Sequence, residues 1–106
     1  MPKYLLKTSY TVAGAQGLLK DGGSKRRAVA EAAVKKLGGR IESFYFALGE
    51  SDAVVIVDLP DVVSCAALSV AVAASGGVSL STTQLLTVQD LDQACKKRTG
   101  YTPPGA

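Results

Sequence analysis

No histidine occurs among the 106 residues of this chain. That absence removes Ser-His and Cys-His nucleophile pairs, a His-ligated haem, and most zinc and non-haem iron sites. Cysteine is scarce too. Cys65 and Cys95 stand far apart and form no CxxC pair, so neither a metal nor any other cofactor is expected. Both thiols read as buried small hydrophobes in a reducing compartment. No segment near the start joins a basic stretch to an apolar core, and a cytoplasmic location is expected. Proline is limited to four residues, and the net charge of +3 is mild. Such a charge permits weak attraction to anions but does not point to nucleic acid.

The most telling absence is of charge itself. Between Asp61 and Asp90 the chain has 28 residues and not one Asp, Glu, Lys or Arg. With 21 charges in 106 residues, a stretch of that length should carry about five or six. Ser64, Ser69, Ser75 and Gly76-Gly77 interrupt the run well short of the ~20 apolar residues of a membrane span. It therefore belongs to a folded domain, and no membrane association is expected.

What is present reads as a regular alternation of elements. Residues 4–10 (YLLKTSY) suit a first strand. Thr11 caps a helical piece over 14–20, Gly22-Gly23 interrupts it, and Ser24 caps a second piece over 25–37 that Gly38-Gly39 ends. In that second piece Ala30, Ala33, Val34 and Leu37 form an apolar stripe, and Arg27, Glu31 and Lys35 form the wet face. Residues 40–48 and 52–58 make two strands joined by the turn Gly49-Glu50-Ser51, a hairpin. Asp61 caps a helix over 62–75, residues 78–86 form a fourth strand, and Thr87 opens a last helix over 88–97. The order is α+β, a ferredoxin-like βαββαβ sandwich with a C-terminal helix, in one domain over 1–98 with an extended tail over 99–106. Ala53, Val55 and Val57 alternate with Val54, Ile56 and Leu59 on the third strand. Both of its faces are thus apolar and expected to be covered, most simply by a second sheet in a dimeric α/β barrel.

The uncharged helix repeats that theme. At 100° per residue Cys65, Leu68 and Val72 fall on one side, and Val62, Val63, Ala66, Val70 and Ala73 fall opposite. One side packs on the sheet. The other is expected to meet a neighbouring subunit, unless the last helix or the tail shields it. Two self-association surfaces would build a homo-oligomer beyond a dimer, a closed ring or a filament.

Three sets of residues could carry chemistry. The basic cluster Lys20, Lys25, Arg26 and Arg27 beside Gly22-Gly23-Ser24 could attract an anion or nucleotide, but GGSKRR is no phosphate-loop signature. Among the carboxylates Glu42, Glu50, Asp52, Asp58 and Asp61, Asp52 opens an apolar strand and is the acid–base candidate, while Asp58 and Asp61 suit a turn and a cap. Tyr10, Tyr45, Thr82 and Thr83 could offer hydroxyls to a small ligand inside a closed barrel, or satisfy one another in a dimer core.

The stretch GGRIESFYFALGESDAVVIVDLPD, with the KTSYTVAGAQGLL start, the helix ending KKLGGR, the Ala-rich helix and SGGVSLSTTQLLT, resembles the GYD-domain family. These are small bacterial and archaeal proteins without an established activity. The resemblance runs over residues 4–97 and implies a ferredoxin-like domain of the dimeric barrel type. Its naming motif corresponds to Gly49, Ser51 and Asp52, so Gly and Asp are kept and Ser51 stands in place of Tyr. This implies a turn role for Gly49 and an anchoring role for Asp52, and Arg26 or Arg27 corresponds to a frequent family Arg. The expected function is a self-associating structural or binding module. The alternatives are a cofactor-independent barrel enzyme using Asp52 and Tyr45, or an anion sensor using Lys25, Arg26 and Arg27.

Overall fold

The computed structural model describes all residues from Met1 to Ala106. Four strands, β1 (Lys3–Tyr10), β2 (Arg40–Phe46), β3 (Ala53–Asp58) and β4 (Val78–Leu85), form one antiparallel sheet in the order β2-β3-β1-β4. Helices α1 (Val12–Lys36) and α2 (Val62–Ala74) pack on one face, and α3 (Val88–Cys95) follows β4. This is the expected α+β, ferredoxin-like arrangement.

Local chemistry sets the boundaries. Thr11, Asp61 and Thr87 each accept a hydrogen bond from a backbone N–H in the first turn of the helix that follows, satisfying donors that a helix start leaves unpaired. Thr87 and Asp90 complete a reciprocal capping box. Only one residue of α1, Gly22 at φ 78° and ψ 172°, leaves helical geometry. That region is essentially closed to residues with a Cβ, so α1 bends there. Helix resumes at once, so Ser24 lies inside α1 and does not cap a second helix. At the other end Gly38, at φ 83°, ends the helix while Gly38 and Gly39 N–H groups return to the carbonyls of Lys35 and Val34.

The core lies between the helices and one sheet face. It comprises Tyr4, Leu6, Val34, Val55, Val57, Leu59, Cys65 and Leu68, with Ala33, Leu37, Phe44, Val72 and Leu80 packed against it. Leu59 is fully buried in this cluster, so it does not share the outer face with Val54 and Ile56. The strand ends at Asp58, and its alternation no longer applies to the next residue. Strand β2 ends at Phe46, and Leu48 lies wholly exposed in the hairpin loop.

Beyond Leu85 no residue is buried. Helix α3 and the tail extend the molecule to 57 × 33 × 23 Å with a radius of gyration of 17.0 Å, against roughly 13 Å for a compact chain of this length. Cys95 is consequently exposed, and only Cys65 is the buried thiol that composition suggested for both.

Candidate functional site

Helix α2 is held to the sheet by its Cys65 and Leu68 side. Ser69 donates to the Cys65 carbonyl at 2.9 Å and lies 3.1 Å from the Thr82 hydroxyl on β4, so even its polar side chains are used within the fold. The opposite side, Val62, Val63, Ala66, Val70 and Ala73, is exposed. Val63 and Val70 are 73% and 68% exposed, so neither α3 nor the tail shields them within one chain.

The second uncovered surface is the sheet face away from the helices. Its middle row joins Ser43, Ile56, Leu5 and Thr83, and the next joins Tyr45, Val54, Lys7 and Ser81. Leu5, Val54 and Ile56 form an apolar, half-buried centre there. Lys7 and the hydroxyls of β4 make the flank beside them polar.

At one end of this face sits a charge cluster that joins Glu42 and Asp58, read from the sequence as separate carboxylates with Asp58 in a turn, to Lys3 and Arg40. Asp58 is 3% exposed and receives Lys3 Nζ at 2.8 Å and Arg40 Nε at 2.9 Å, while Lys3 also reaches Glu42 at 3.0 Å. The Lys3 hydrogen bond, aided by Arg40, holds the Asp58 carboxyl below its ordinary range against the opposing effect of burial. Asp58 and Glu42 raise Lys3 in turn. Asp58 stands opposite Lys3 on β1 and Arg40 on β2, so strand register is the signal that would have found it.

Asp52 has a structural role. Its Oδ2 accepts from the Tyr10 backbone N–H at 2.8 Å, and its own N–H donates to the Thr8 carbonyl at 2.8 Å. This ties the hairpin to the end of β1, the anchoring role the resemblance implied. Gly49 keeps an ordinary φ, so its turn does not require a glycine. Asp61 accepts from the Ser64 N–H at 2.8 Å, which lowers its carboxyl as a cap should.

The basic cluster does not converge. Lys25 lies 3.4 Å from Asp21, and Arg27 pairs with Glu31 at 2.8 Å. Arg26 is half-buried and takes part in no ion pair or side-chain hydrogen bond. It turns instead toward a cleft between the two helices and the sheet, which Thr8 and Tyr10 also line. The four candidate hydroxyls divide between the faces. Tyr10 and Thr82 stand on the helical side, and Tyr45 and Thr83 stand on the open side.

The cleft holds about 140 Å³. Its walls are the aliphatic and aromatic residues of the core edge, among them Val29, Ala33, Phe44 and Val72. It opens into a wider, more polar vestibule of about 420 Å³ that shares Tyr10 and Arg26 and adds Asp21. No group of three or more Cys, Asp or Glu side chains is placed to hold a metal ion, and no helix is long and apolar enough to cross a membrane.

These features define a small α+β, ferredoxin-like domain with an uncovered sheet face of apolar centre and polar rim and one apolar helix face exposed. The sequence model of the GYD domain family matches residues 4–95, and the chain belongs to that family, whose activity is not established. Neither a curated protein nor a solved structure matches it.

Proposed function

We propose that this protein is a self-associating binding or structural module, assembled through the open sheet face and α2. The observation that carries the proposal is the exposed side of α2: Val62, Val63, Ala66, Val70 and Ala73 without one charge between them. Water is a poor cover for a continuous apolar surface on a folded domain, and such patches mark interaction sites. The half-buried centre at Leu5, Val54 and Ile56 supports a second interface, in which two sheets stack face to face as a dimeric barrel. The amphipathic, unburied α3 exposes further apolar side chains, Val88 and Leu91. A face-to-face dimer and a separate helix contact together generate a ring or a filament.

The expected result of light scattering after size exclusion is a mass above that of one chain at micromolar concentration. A monomer would sink the proposal. Val70→Glu or Ala66→Arg should reduce the assembly to the unit built by the sheet face alone. Unchanged assembly in both would remove α2 as an interface.

A further inference from the structure

The cleft between α1, α2 and the sheet is separate from both surfaces of self-association, and its chemistry is uneven along its length. The part not shared with the vestibule is apolar, walled by residues such as Val34, Phe44, Val55 and Leu80. Tyr10 and Arg26 line both the cleft and the vestibule and mark the mouth of the cleft, and Thr8 lines the cleft. The geometry points to a ligand site for a small carboxylate whose body is a single ring or a short branched chain, the ring or chain seated in the cleft and the carboxylate on Arg26 at the boundary with the vestibule.

Size sets the body. An apolar cavity of about 150 Å³ accepts benzene, and this cleft offers about 140 Å³. Of the five α1 residues that line it, Arg26, Val29, Ala30, Ala33 and Val34, two are alanines whose side chains are too small to close the space.

Charge sets the head. The carboxylate of Asp21 and the cation of Lys25 offset one another at 3.4 Å, and Glu31 holds Arg27 at 2.8 Å. Arg26 is half-buried with no acceptor in the chain, and Lys20, also unpaired, is exposed and lines neither the cleft nor the vestibule. One free guanidinium beside Tyr10 suits a monoanion, which it can receive through two parallel N–H groups. A phosphate dianion would need a second cation, and no other Lys or Arg lines the cleft or the vestibule. The fold thus joins Tyr10 and Arg26, which the sequence placed in different candidate sets.

The test is a titration of the full chain, followed by methyl NMR, with benzoate, 4-methylpentanoate, the neutral isostere benzamide, and inorganic phosphate. Saturable shifts of the Val29, Val34 and Val72 methyls with either carboxylate, and far weaker ones with benzamide, are expected. Arg26→Gln should weaken carboxylate binding roughly tenfold or more and leave benzamide unchanged. Ala33→Leu should abolish both by filling the cleft. Val70→Glu lies on the other side of α2 and should bind as the parent does, so loss of assembly and loss of ligand are read separately. The inference is overturned if neither carboxylate shifts these methyls at millimolar concentration, or if benzamide matches benzoate. It also fails if phosphate alone gives the same shifts. Shifts that follow protein concentration without any probe would place a second copy in the cleft and overturn it equally.

Discussion

Val55 and Val57 lie under the helices, and Val54 and Ile56 lie on the opposite side of the same strand with nothing above them. The four side chains are nearly alike in apolarity. Only their cover differs, since the first pair is buried and the second half-buried within one chain. Helix α2 repeats the contrast, with Leu68 buried on one side and Val70 exposed on the other. Apolarity alone therefore does not fix burial, and topology decides which side of a strand or helix its own chain covers.

Substitutions on the two sides should separate these cases. The largest loss is expected on the covered side, where Leu59 is fully buried. Leu59→Ala should cost about 2–5 kcal/mol in urea unfolding, at every protein concentration. On the open side Ile56→Ser should cost the monomer about 1 kcal/mol, less than Leu59→Ala, while a covered interface would lose further stability that grows with the logarithm of protein concentration. A concentration-independent loss as large as that of Leu59→Ala would erase the distinction between the faces.

Gly22→Ala should cost about 1–3 kcal/mol, because its φ of 78° and ψ of 172° are nearly closed to alanine. Thermal melting checks this, and a stabilised variant would show that α1 straightens freely.

The charged rim of the open face should respond to acid. The Asp58 carboxyl is lowered by Lys3 and Arg40, so the stability it contributes is fully present above the ordinary carboxylate range. It is lost as pH falls through the lowered value. Asp58→Asn should cost about 1–3 kcal/mol at neutral pH and flatten the acid limb of the stability curve. An equally steep acid limb in the variant would assign that limb to Asp61 and other carboxylates. The smallest effect belongs to the exposed Arg27–Glu31 pair, where Arg27→Ala should change stability by under about 1 kcal/mol.

Much of the fold was legible in the sequence because the relevant forces are local. Thr11, Asp61 and Thr87 are caps of the expected kind, Gly38-Gly39 ends α1, and the stripe at Ala33, Val34 and Leu37 faces the core. The candidate sites were less legible because they depend on register and on which residue carries a bend. Only Gly22 bends α1, and Ser24 is passed over. Asp58 gains its partners from two neighbouring strands, and Arg26 differs from Lys25 and Arg27 only in the direction the helix points it.

The sequence by itself determined that a 28-residue stretch carries no charge, and it separated the two sides of α2 by their helical spacing. Those conclusions rest on composition and on periods of two or 3.6 residues, which neighbouring residues set. Only the tertiary structure decided that α3 leaves the outer side bare, that Asp52 holds the Tyr10 backbone, and that Arg26 and Tyr10 share one cleft. These facts join residues distant in the chain, and their physical origin is packing between elements rather than the preference of any one.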